Sequence, residues 1–524
     1  RPGWNIRKRR KNVRTKNSFL YFMANTGSHL SNVILSFICR TVFIYVLSEE
    51  YLGVNGLFGN VLTVLSLAEL GIGGAMTFHL YKPIAEEDER AIRQMMNLYR
   101  VLYTCVGAFV GIAGLALVPF LDIFIKDRPD IPGLTFIYLL YLLNTVCSYL
   151  WGYKRAIIDG HQKSYIGTIY NTIFTTIQFL IQIVILLVSR NFIAYLLVQI
   201  VCSITTNIAV ARKADRMYPY LKENRKELPP KETRRSIAKN VGAMSLHKLG
   251  DVVVNNTDNL IMSAFVGIVA VGAYSNYQMI QATINTALNG VFGAFTASIG
   301  NLGVDEENRD KVYHVYQVLL FLGFWLYGFS TIAFLIMFNP FILAWTGKSN
   351  LVFSMPIVLV YVINFYVAGM RKVTITFRDA MGLYWYDRYK PILEVIVDMA
   401  VTIVLVLKLG TIGILLGTLI SAMTTCFWIE PLVTYKYGFY KPVRKYFFMF
   451  AKYTATVAVV GGFTYWVCSF FSIGGFAEVF LKLLICIVIY NFLIFLLYFR
   501  TKEFKALWAQ ATILLANYKN RKRG

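Results

Sequence analysis

Between Tyr51 and Ala68 the chain reads YLGVNGLFGNVLTVLSLA and carries no charged side chain. Wound as a helix, a run of that length rises about 27 Å, close to the hydrocarbon thickness of a bilayer. Comparable apolar runs recur along all 524 residues. Their outer faces are compatible with lipid and not with water, which constrains the fold more than any other feature. A soluble chain of this length would carry more than 15% charged residues. Barrel strands alternate in polarity, and these runs do not. The expected fold class is therefore an all-α polytopic membrane protein with about 14 transmembrane helices.

The net charge of +24 would suggest nucleic acid in a soluble protein. Here placement matters more than the sum. Seven connections on one side of the expected spans hold only Lys126, Arg128, Arg190, Lys348, Lys408 and Lys482. The other connections and both ends of the chain hold most of the remaining Lys and Arg. That asymmetry places both termini in the cytoplasm of a cell membrane and leaves no nucleic-acid reading. Cys39, Cys105, Cys147, Cys202, Cys426, Cys468 and Cys486 all fall within or at the ends of spans, with no C-x-x-C, so neither a disulfide framework nor a metal site is expected. The basic start RPGWNIRKRRKNVRTKNSF precedes a long span without a small-residue cleavage site, so it is not expected to be a cleavable signal.

Residues 1–17 read as a basic cytoplasmic tail, 18–210 as a first lobe of six spans and 211–239 as a basic, solvated linker. A second lobe of six spans covers 240–432, two further spans cover 433–499, and 500–524 form a cytoplasmic tail. In that tail Phe504, Leu507, Trp508, Ala511, Leu515 and Tyr518 recur at helical spacing, which suits an interfacial helix or one packed on its own protein. A shift of 219 residues relates the lobes, bringing Gly53 onto Gly272, Gly71 onto Gly290 and Arg90 onto Arg309. Lobes of six spans share one orientation, so a pseudo-twofold axis along the membrane normal is expected, with a substrate site near the midplane.

Polar residues inside spans must face a cavity or a partner. The first span carries Asn25, Ser28, His29, Asn32, Ser36 and Arg40 on one helical face. The seventh carries His247, Lys248, Asp251, Asn255, Asp258 and Asn259 on one face. The 219-residue shift superposes much of the two stripes. The eighth adds Gln278, Gln281, Asn285 and Asn289. These stripes make Arg40, His29, Asn25, Asn32, Lys248, Asp251, Asn255, Asn259, Gln281 and Asn285 the candidate lining of a central cavity. Glu69, alone in an apolar run, lies at the depth of His29 and is a candidate partner for it. With Asp258 it is assigned to gating or to coupling an ion, H⁺ or Na⁺. The bland reading of any single Ser or Asn is helix packing. Arg371 and Lys372 read as headgroup-level anchors, and His79 and Lys82 as interfacial.

The stretches YLGVNGLFGNVLTVLSLAELGIGGAMTFHLYKPIAEED and FRDAMGLYWYDRYKPILEVIVD resemble the polysaccharide-unit (Wzx-like) flippases of Gram-positive bacteria. Those belong to the multidrug/oligosaccharidyl-lipid/polysaccharide exporter superfamily. The resemblance implies two six-helix lobes working by alternating access, as a monomer. It also implies a substrate, an oligosaccharide unit on undecaprenyl pyrophosphate moved to the outer leaflet for capsule or surface polysaccharide. Polymerisation and export machinery are the implied neighbours. In the related lipid II flippases two extra helices form a groove for the lipid tail, which suits the spans in 433–499. Those relatives line their cavity with arginines, whereas this chain offers Arg40, His29 and Lys248. A diphosphate suits Arg40 by bidentate bonding and Lys248 as a point charge.

Lipid II flipping and multidrug or cation antiport remain the alternatives within the superfamily, and a non-transporting envelope scaffold is the alternative outside it. Short outer loops without paired carboxylates give no basis for an enzyme. No G-x-x-x-x-G-K-[ST] occurs, so no ATP site is expected. Apart from a coupling ion, no cofactor is expected.

Overall fold

Apolar runs joined by short polar connections fold as helix after helix, because a helix satisfies its own backbone polar groups in lipid. The computed structural model describes residues 27, 29, 31–69, 72–126, 129–224, 226–303, 309–510 and 512, the side chains at 68, 74–75, 239–240, 243–255, 294, 296–303 and 384 excepted. Among these residues no strand occurs. Nine helices among the described residues are long and apolar enough to cross a membrane. The protein is an all-α, multi-pass membrane protein. The other five expected spans are not among these nine, and the first of them, 18–47, lies partly outside the described residues.

The chain divides into two compact units, Arg1–Gly272 and Ala273–Gly524. The first holds α1 (Ser31–Val46), α2 (Glu49–Leu65), α3 (Ile72–Glu86), α4 (Glu89–Leu117), α5 (Leu134–Gly152), the short α6 (Arg155–Gly160), α7 (Ser164–Ser189), α8 (Phe192–Met217) and α9 (Lys231–Phe265). Asp88 and Asn191 start α4 and α8 by accepting the Ala91 and Ala194 amides at 2.9 and 3.1 Å. The run expected as one span over 51–80 is two helices, with a 3-10 turn at Ser66–Glu69 between them. Glycines at 71, 73 and 74 favour a break there, since each costs a helix about 1 kcal/mol relative to Ala.

Helix α9, read from sequence as the opening of a second lobe, packs against α2 and α3 within the first unit. Its end is tied by the Lys126 amide to the Ser263 carbonyl at 3.0 Å. Gly53 and Gly272, superposed by the 219-residue shift, also face each other in this unit. A Cβ at Gly53 would strike the Ile268 carbonyl, and one at Gly272 would lie 3.1 Å from Gly53 N. The linker is not merely solvated: Asn97 on α4 donates to the carbonyls of Asn224 and Glu227 at 3.0 and 2.9 Å. Glu227 accepts from Arg90 and Gln94 at 2.7 and 2.9 Å, and pairs with Arg93.

The second unit contains most of α10 (Ile268–Gly303), then α11 (Arg309–Thr346), α12 (Met355–Ala380), α13 (Lys390–Leu409), α14 (Thr411–Thr424) and α15 (Cys426–Val433). A π-helical turn at Thr434–Phe439 leads to α16 (Arg444–Ser469) and α17 (Gly475–Tyr498). Helix α11 is the hub, packed by α12, α16 and α17. Trp325 on α11 donates to Asn491 on α17 at 2.8 Å, and Tyr490 donates to the Trp325 carbonyl at 3.1 Å. Helices α13 and α14 approach so closely that a Cβ at Gly413 or Gly417 would strike Leu405 or Thr402. After α17, residues 502–510 are helical, with Phe504 buried against Trp325 and Phe495 and Trp508 exposed. Ala511, Leu515 and Tyr518 of that amphipathic pattern lie outside the described residues.

Candidate functional site

The polar face of α1 is placed in part. Asn25 and Ser28 lie outside the described residues. His29, Asn32 and Arg40 are half-buried, and the Asn32 Oδ1 has no hydrogen-bond partner among the described residues. Arg40 interacts electrostatically with Tyr195 of α8, Tyr141 of α5 and Cys39. Tyr141 in turn bonds to Asn55 of α2. Phenol oxygens around a guanidinium supply dipoles in a medium where water cannot.

Glu69 closes the 3-10 turn between α2 and α3 and accepts a hydrogen bond from the Tyr103 hydroxyl of α4 at 3.1 Å. Tyr103 and Tyr149 lie ring to ring at 6.1 Å, so the carboxylate sits by a tyrosine cluster. Among the described residues no ion pair joins Glu69 to His29. An interrupted helix exposes backbone donors and acceptors at membrane depth, which is tolerated where protein or a watered cavity meets them.

On α9 Asp258 and Asn259 are buried. The side chains of Lys248, Asp251 and Asn255 lie outside the described residues, as does that of His247. On α10, in the second unit, Gln281 and Asn285 are half-buried one turn apart. Neither amide makes an intramolecular hydrogen bond among the described residues. The structure thus describes α1, α2, α3 and α9 within one unit, and Gln281 and Asn285 within the other.

The second unit holds a constellation that the sequence analysis passed over. Glu430 on α15 is fully buried and receives a bidentate pair from Arg371 of α12, Nε to Oε2 at 3.0 Å and Nη2 to Oε1 at 2.8 Å. Lys390 at the start of α13 reaches the same Oε1 at 2.6 Å. Glu394, one turn along, lies 3.8 Å from Arg371 and 3.9 Å from Lys390. Two cations and two carboxylates cancel, the condition for burying charge in lipid. Arg371 is therefore a buried ion-pair partner and not a headgroup anchor. Asp398, another turn along α13, is 1% exposed, and its Oδ1 has no hydrogen-bond partner among the described residues. The spacing of Lys390, Glu394 and Asp398 at i, i+4 and i+8, and a lone Glu430 in CFWIEPLV, were the available signals.

The loop before α13 is stapled by Arg378, which bonds Asp379 at 2.8 Å and also Asp387. Gly382 turns it with φ of 69°, a left-handed conformation that glycine adopts without strain. The stretch FRDAMGLYWYDRYKPILEVIVD thus supplies this staple and the α13 side of the ionic cluster.

A family model described as "Polysaccharide biosynthesis protein" matches residues 15–296, more than half of the chain. The chain belongs to that family. No curated protein matches it at a significant level. Among solved structures it is similar in fold to the lipid II flippase MurJ in an inward closed conformation. The TM-score there is 0.65 at 13% identity, with 92% of this chain and 99% of that one covered. An inward-facing multidrug resistance MATE family transporter of the MOP superfamily matches with a TM-score of 0.58 at 15% identity, covering 77% and 94% of the two chains. A mutant of the Vibrio cholerae MATE transporter VcmN matches with 0.53 at 12%, covering 82% and 99%. At such identities the likeness is one of fold. This member of the polysaccharide biosynthesis family therefore has the fold of flippases and transporters of that superfamily.

Proposed function

We propose that the protein flips lipid-linked oligosaccharide repeat units, carried on undecaprenyl pyrophosphate, from the inner to the outer leaflet by alternating access. Its termini lie in the cytoplasm of a bacterial cell. The observation that carries this reading is the pair of half-buried α10 amides, Gln281 and Asn285, which make no hydrogen bond to another group among the described residues. Such amides, with Asn32 on α1, offer the donors and acceptors that saccharide hydroxyls require. Family membership supplies the glycan context. Arg40, with Lys248 from the sequence pattern, supplies cations for a diphosphate, and His29, with Asp251, Asn255 and Asn259 from the same pattern, is assigned to that lining. In this reading Asp258 and Glu69 act in gating.

The test is depletion followed by identification of the lipid-linked saccharide that accumulates in the inner leaflet. Accumulation of an undecaprenyl-linked oligosaccharide, reversed by the wild-type chain and not by R40A, supports the reading. Accumulation of lipid II alone assigns it to the peptidoglycan route. Drug sensitivity without any lipid intermediate assigns it to multidrug export.

A second reading concerns the energy source. Asp398 is a buried carboxylate beside Glu394 and Thr402, and among the described residues neither its Oδ1 nor the Thr402 hydroxyl has a hydrogen-bond partner. A proton or a sodium ion bound at Asp398 would neutralise it and couple an ion gradient to the cycle. D398N abolishing the gradient dependence of flipping while preserving protein level supports this, and unchanged dependence refutes it.

A further inference from the structure

A groove of about 590 Å³ opens between the first turns of α11 and α16, lined by Tyr313, Gln317, Arg444, Lys445, Phe448 and Met449. Lys441, just before α16, pairs with Asp310 at the start of α11 at 2.8 Å, holding the two helix starts together. Arg444 and Lys445 are exposed and make no ion pair with an acid among the described residues. Tyr313 forms the floor of the groove, buried with its ring edge-on to that of Tyr435 at 5.8 Å. Phe448, one turn farther along α16, is 74% exposed. Two cations thus lie at the end of a membrane-crossing helix, and apolar surface begins within one turn of them.

We propose that this groove seats an anionic membrane phospholipid. The phosphate lies against the Arg444 guanidinium and the Lys445 ammonium. Gln317 meets the glycerol esters, and the first methylenes run along Phe448 and Met449. A saccharide-bearing carrier is the poorer occupant, because the lining offers one amide for its many hydroxyls and places the cations at headgroup level. The site depends only on the membrane placement of α11 and α16, so it stands apart from the proposed transport substrate.

The test uses purified full-length protein in neutral detergent, titrated with phosphatidylglycerol and with phosphatidylcholine, bound lipid being counted by native mass spectrometry. Phosphatidylglycerol is expected to bind roughly tenfold more tightly, a preference that fades with salt and disappears in the R444A/K445A double variant. If the double variant unfolds, K445Q alone must still lower the preference. Equal binding of the two lipids, or full retention by variants with unchanged thermal unfolding, overturns the proposal. So does displacement of phosphatidylglycerol by a polyprenyl diphosphate at lower concentration.

Discussion

Glu69 and Glu430 look alike in the sequence, each a single acid in a long apolar run, and the structure treats them differently. Glu430 is fully buried and saturated by Arg371 and Lys390. Glu69 is half-buried at a helix break, and Tyr103 donates to it at 3.1 Å. An acid locked between two cations is structural, because changing its charge strands both partners. An acid held by a neutral phenol can gain or lose a proton with far less reorganisation. Burial of charge alone therefore does not identify a working residue; its counter-charge does.

The sharpest way to break this contrast is Glu430→Gln. It is expected to cost roughly 3–5 kcal/mol, the usual loss when one partner of a buried pair is removed. Thermal unfolding in detergent and membrane abundance would show it, and wild-type values would dissolve the distinction. Next in size, Arg40→Ala is expected to reduce flipping about 10–100-fold at normal abundance, as for loss of charge-assisted bonds to a phosphate. Vesicle flipping assays measure it, and a fall in abundance matching the fall in activity would reassign Arg40 to packing. Glu69→Gln keeps an acceptor for Tyr103 and is expected to change stability by less than about 1 kcal/mol. Its effect should appear as a changed flipping rate or an altered dependence on an imposed ion gradient; full activity at every gradient removes Glu69 from coupling and gating.

The smallest effect concerns the linker. Hydrogen bonds from Gln94 and Arg90 hold the Glu227 carboxyl below its ordinary value of 4.5. The folded pKa is depressed, so the latch on α4 is complete above about pH 4.5 and weakens as the pH falls through that lowered value. Limited proteolysis across 221–229 should be suppressed at neutral pH and increase in acid, while Glu227→Gln should cleave readily at both.

The helices were legible because lipid demands long apolar runs, and the break near Glu69 was foreshadowed by GIGG. The packing of α9 on α2 and α3 was not legible, since it joins segments far apart in the chain through faces of ordinary composition. Tyr103 was equally invisible: in a chain with 34 tyrosines, nothing local marks the one that reaches Glu69. Glu430 was legible in principle, by the logic applied to Glu69. Its partners Arg371 and Lys390 were hidden because each stands near a span end, where an anchoring role is the simpler reading.

The ionic cluster also bears on how the chain enters the membrane. Arg371, Glu394 and Glu430 come from successive elements α12, α13 and α14–α15. An ionised side chain at the centre of a lone inserting helix costs about 2.5–3.5 kcal/mol. Helix α13, with Lys390, Glu394 and Asp398, is outside the nine helices apolar enough to cross alone. Its insertion thus depends on a neighbour made just before it and another made just after it. During synthesis these elements must wait for one another at the translocon and partition into lipid as a group, so the order of charges along the chain is also a schedule for assembly.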